Sequence, residues 1–124
     1  MLIYSIQDEY LARAEYKKLI ELFDVNRPFT NIIKAEQTHI ELLESLFMAY
    51  DIPIPSDTSE DHLIIPNDLE TVFKIGVQAE IDNIAMYESF LEEELPDDIR
   101  NVFERLKTAS ESHLIAFQKN LNNY

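Results

Sequence analysis

The chain has 124 residues and a formal net charge of −14, with 10 Lys and Arg against 24 Asp and Glu. That acidity weighs against nucleic acid and anionic membrane as partners, and the lack of cysteine excludes disulfides, zinc–thiolate sites, iron–sulfur clusters and thiol nucleophiles. One glycine and five prolines argue for long helices, because sheets and barrels need more turn chemistry.

The length suits one domain, residues 1–124, closing a single core. No stretch approaches the roughly 20 apolar residues of a membrane span. The N-terminus, MLIYSIQDEY, lacks the charged start and cleavage site of a secretory signal. Together with the missing thiols, this points to the cytoplasm.

Helical periodicity divides the chain into four segments. The first runs from about Ser5 to Asp24 and the second from Pro28 or Thr30 to Tyr50. DIPIPSDTSEDHLIIP (51–66) breaks the pattern with its prolines and polar cluster, and His62 within it reads as a solvated loop residue. The third helix starts near Pro66 or Asn67, carries Asp68 and Glu70 in its first turn, and ends around Glu94. LPDD (95–98) makes a tight connection, and the fourth helix continues to about Asn122. Short links give two antiparallel hairpins, joined by a connector long enough to travel a helix length. The expected fold is therefore all-α: a four-helix bundle with a long crossover between helices 2 and 3 is the ferritin-like arrangement, and an ordinary up-down bundle with one loose loop fits the same pattern.

Each residue turns a helix by about 100°, so the middle of each apolar stripe can be inspected. On the first helix Leu2, Ile6, Ala12, Tyr16, Ile20 and Phe23 surround Glu9, with Glu15 near the edge. On the second, Phe29, Ile32, Ile33, Ile40, Leu43, Phe47 and Tyr50 surround Glu36, with His39 beside it. On the third, Leu69, Phe73, Val77, Ile84, Tyr87 and Leu91 surround Glu80, and Asn83 follows one turn on. The fourth places Ile99, Val102, Leu106, Ala109 and Phe117 around His113, with Ser110 one turn before it. Gly76 sits on the inner face of the third helix, where close helix approach accounts for it.

An unpaired buried carboxylate costs several kcal/mol or takes up a proton. Three of them would strain a domain of ordinary stability, about 5–15 kcal/mol. Arg13 is the only internal counter-cation the pattern offers, so a bound metal would resolve the charge. Glu36 and His39, three residues apart, share a face and form a Glu-x-x-His unit. Glu9, Glu80 and His113 would complete the shell. Oxygen and imidazole ligands without sulfur favour iron, manganese or zinc.

With these residues in place, the sequence resembles the ferritin-like superfamily, particularly its rubrerythrin-related members. Glu9, Ala12, Arg13 and Tyr16 look like the first-helix motif ExxAR..Y, and KAEQTH supplies the second-helix unit. FTNIIKAEQTH combined with SESHLIAF is similar to an uncharacterised ferritin-like family of bacterial and archaeal proteins. The resemblance implies Glu9 and His39 as terminal ligands, Glu36 as a bridging one, and Glu80 and His113 as ligands from helices 3 and 4. It implies a site for two irons reacting with oxygen or peroxide, hence a non-haem oxidoreductase or peroxidase. Two positions depart from the pattern. Ser110 stands where the second Glu-x-x-His has its glutamate, and Asn83 replaces a further acid, so one ion or two are both compatible. Tyr16 and Tyr87 are candidate hydrogen-bond donors to ligand carboxylates.

Two other functions fit the same residues: metal binding or storage without turnover, and a metal-free helical interaction module with a degenerate site. Ala35, Leu42, Leu46 and Ala49 widen the apolar arc of helix 2 and point to a partner surface, a homodimer among the expectations. One geometric difficulty is visible. Glu9 lies farther from the first interhelical turn than Glu36 does, so plain hairpin geometry offsets them unless an extended DVNRPF linker absorbs the difference.

Overall fold

A computed structural model describes residues 1–124 as four α-helices, with no strand: α1 (Leu2–Phe23), α2 (Phe29–Ala49), α3 (Leu69–Leu91) and α4 (Asp97–Leu121). A short 3₁₀ turn, Ser59–His62, lies in the connector. No helix is long and apolar enough to cross a membrane. The chain forms two compact units, Met1–Ile65 and Pro66–Tyr124, each built on one helical hairpin.

In the first hairpin, α1 begins at Leu2 rather than Ser5, since Ser5 is itself fully buried and packs as part of the helix. The helix stops where Asp24 turns left-handed at φ 50°. Phe29, the first residue of α2, then packs on Tyr16 with ring centroids 5.7 Å apart. The linker has therefore doubled back along α1 by about 10 Å, the rise of two turns, before α2 begins. α2 ends in a Schellman motif, with Ile52 N–H bonded to the Phe47 carbonyl at 2.9 Å and Asp51 N–H to that of Met48 at 3.2 Å. Asp51 adopts the left-handed conformation at φ 55° that glycine usually supplies there. Tyr50, expected in the apolar stripe, is exposed because it already belongs to this cap.

The start of the connector is bound to α1. Tyr10 donates its hydroxyl to the Pro55 carbonyl at 3.2 Å. Arg13 donates to Asp57 Oδ2 at 3.0 Å and to Gln37 Oε1 at 2.7 Å, and its guanidinium lies over the Tyr10 ring. Asp57 Oδ1 accepts from both the backbone N–H and the hydroxyl of buried Ser59. Burial pushes the Asp57 carboxyl up, but the Ser59 hydrogen bonds and the guanidinium outweigh it and hold it below its ordinary value.

In the second hairpin, Asp68 is the N-cap of α3 rather than a first-turn residue. Its carboxylate accepts from Thr71 N–H at 2.8 Å, so the helix starts at Leu69. α3 ends at Leu91, short of Glu94, where Arg100 donates to the carbonyls of Leu91 (3.1 Å) and Glu93 (2.8 Å). The same contact fixes the start of α4 against the end of α3. Two aromatic rungs then tie the helices: Phe73 with Phe117 at 6.3 Å and Tyr87 with Phe103 at 5.6 Å. Phe103 is fully buried although it lay outside the expected stripe. Gly76 allows the Phe117 ring to approach, since a Cβ there would stand 3.1–3.2 Å from three ring atoms.

Two acids on α1 are protonated more readily than usual. Burial, then the neighbouring Asp8 carboxylate, pushes Glu15 up to about 7; burial, then Glu9, pushes Asp8 up to about 6. In the folded state these groups keep protons that the unfolded chain releases. Their contribution to stability is complete below their unfolded values and is lost as pH rises through about 6–7. Glu15→Gln is expected to raise the melting temperature at about pH 8 and to change it little at about pH 4, below the ordinary glutamate value, read by circular dichroism at both. At Gly76, valine forces the Phe117 ring out of place and is expected to lower stability by about 1–3 kcal/mol in denaturant melts. Alanine, whose helix propensity recovers about 1 kcal/mol, should cost far less.

Candidate metal centre

Glu9 on α1 and Glu36 on α2 are brought level by the Tyr16–Phe29 contact. Glu9 lies seven residues before Tyr16 and Glu36 seven after Phe29, so the two helices run equal distances from a common rung. The extended linker thus removes the offset that simple hairpin geometry would impose. His39, one turn on from Glu36, projects toward the same place. The ligand atoms of Glu9, Glu36 and His39 all lie within 4.8 Å of one another, and His39 Nδ1 is 3.6 Å from Glu9 Oε2. All three residues are buried, at 5%, 4% and 5% exposure. His39 Nδ1 is enclosed by protein and makes no hydrogen bond.

Arg13, the one internal cation the sequence offered, is committed to Asp57 and Gln37 in and beside the connector. Gln37 was not among the residues singled out by periodicity; its place immediately after Glu36, off the apolar stripe, turns it toward Arg13 instead. A cavity of about 200 Å³ opens beside α1, with Tyr10, Ser59 and His62 among its lining residues. It includes none of the three clustered ligands, and His62 itself is exposed, as expected of a loop residue.

The second hairpin holds a comparable pair. His113 Nδ1 is 3.5 Å from Glu80 Oε1, and both residues are buried. Glu80 lies midway between the two aromatic rungs, seven residues from Phe73 and seven from Tyr87. On α4 the residue seven from both Phe103 and Phe117 is Ser110, also buried. Asn83, one turn beyond Glu80, is half-buried. Tyr16 and Tyr87 are both buried, with their rings packed against Phe29 and against Phe90 and Phe103 respectively.

Two carboxylates and an imidazole nitrogen, enclosed and converging, form a donor set of hard oxygen and borderline nitrogen. Iron, manganese and zinc take such ligands, and soft monovalent copper does not prefer them. The buried, unbonded imidazole nitrogen beside two acids is the observation that fits a cation.

Comparison with known proteins agrees with this architecture. The chain is 30% identical over 138 residues to an uncharacterized protein of Methanocaldococcus jannaschii, MJ0754, covering 99% of this chain and 74% of that one. The crystal structure of the hypothetical protein MJ0754 from Methanococcus jannaschii superposes with a TM-score of 0.86 at 29% identity, over 99% of this chain and 78% of that one. The expected all-α, ferritin-like fold class agrees with that match. The family model for Rubrerythrin matches residues 1–121, nearly the whole sequence. The chain belongs to the rubrerythrin family.

Proposed function

We propose that this protein binds a transition metal, iron before manganese or zinc, through Glu9, Glu36 and His39 of the first hairpin, that Glu80 and His113 serve as metal ligands in the second, and that it is an oxidoreductase acting on oxygen or peroxide. The observation that carries the proposal is the buried triad, whose two carboxylates and imidazole converge within 4.8 Å. Membership of the rubrerythrin family supports the choice of metal and of reaction class.

Each residue has a separate task. Glu9 and Glu36 supply negative charge from facing helices, so the cluster favours a cation over a neutral ligand. His39 supplies a nitrogen donor and is fixed in direction by its place one turn from Glu36. The buried Ile32, Ile40 and Leu43 on the same helix restrict the ligand side chains and exclude bulk water. A bound iron or manganese would supply the one-electron chemistry with oxygen or peroxide that no side chain here can provide.

Elemental analysis of protein purified without chelators tests the assignment. Wild type is expected to carry metal, and Glu36→Ala and His39→Ala to lose most of it. Unchanged metal content in both variants would overturn the site. Chelator should lower the wild-type melting temperature, since a metal at about 100 times its dissociation constant stabilises the fold by roughly 2.7 kcal/mol. Retained metal without oxygen or peroxide consumption would leave binding or storage as the function. No metal at all would leave a helical interaction module.

A further inference from the structure

The two hairpins carry the same plan with one difference. In the first, Glu9 faces Glu36 across the helix pair, and His39 follows Glu36 by three residues. In the second, Glu80 lies at the level of Ser110, and His113 follows Ser110 by three residues. The carboxylate–imidazole distances are nearly equal, 3.6 Å and 3.5 Å. The rungs fix the level in each case: seven residues from Tyr16–Phe29 to Glu9 and Glu36, and seven from Phe73–Phe117 to Glu80 and Ser110. Ser110 is therefore the positional counterpart of Glu36.

The difference decides charge as well as ligand number. The first hairpin brings two carboxylates and one imidazole together. The second sets one carboxylate beside one imidazole, with a serine hydroxyl where the first has its second carboxylate. A charged carboxylate holds a divalent cation more strongly than a neutral hydroxyl does. Carboxylate bundles that hold two ions use a Glu-x-x-His unit from each of two helices. This chain has one.

Taking the metal-binding reading above as its basis, we propose that Ser110 makes the two hairpins unequal as metal sites. The chain retains a single ion at Glu9, Glu36 and His39, and the Glu80–His113 pair is a weak second position that lacks one carboxylate.

The test counts ferrous iron bound per chain after anaerobic loading with excess iron and removal of free ions on a desalting column. Wild type should retain one ion and Ser110→Glu two, with the second held at least about tenfold more tightly in the variant under chelator competition. His39→Gln should retain none. Because glutamate is large for a buried serine site, Ser110→Asp supplies the same charge in less volume, and circular dichroism checks the fold of both. Two firmly held ions in wild type, or no gain in a folded acidic variant, would overturn the inequality while leaving the metal site standing. No retained iron in wild type would overturn the metal reading itself, and this inference with it.

Discussion

The cost of burying Glu9 and Glu36 next to each other governs the first hairpin. Two carboxylates removed from water within a few ångströms repel one another. The helices nevertheless hold them level through an aromatic contact between Tyr16 and Phe29 and a linker that retreats along α1. A fold selected for stability alone would put apolar side chains at these positions, at lower cost and with better packing. Their placement follows from a need to present charge inward, and the rest of the hairpin is arranged to permit it.

Arg13 illustrates the same constraint from the other side. It is close enough in sequence to Glu9 to serve as a counter-ion, but its guanidinium stacks on Tyr10 and binds Gln37 and Asp57. The cation that could have silenced the cluster is used to fasten the connector. Asp57 in turn is organised by Ser59, so a polar network runs from α1 into the 3₁₀ turn.

Much of this was legible in the sequence, for identifiable reasons. Glu9, Glu36, Glu80 and His113 each interrupt a 3.6-residue apolar pattern at its centre, and such interruptions survive any uncertainty about helix ends. The expected helices were found within a few residues of their bounds, and the deviations arise at caps. Asp68 bonds Thr71 from outside α3, and Arg100 closes α3 from the following helix, contacts that periodicity does not contain. The core was less legible than the ligands. Tyr10, Leu19, Val72 and Phe103 are buried although they lie outside the stripes drawn from the sequence, because each helix buries a wider arc than a single stripe. Nor could periodicity show that Arg13 would turn to the connector, since its partner Asp57 is remote in sequence and lies outside any helix.

The doubled-back linker has a consequence for how the ligands come together. Every residue of the triad lies within positions 9–39, so its assembly requires closing only one short loop, whose entropic cost rises slowly with length. Contacts of this kind favour fast folding. During synthesis the N-terminal segment is made first, and all three residues are in the chain before any residue of α3 is added. The hairpin that brings two carboxylates and an imidazole together is thus made first, and the one that sets a single carboxylate beside an imidazole is made second.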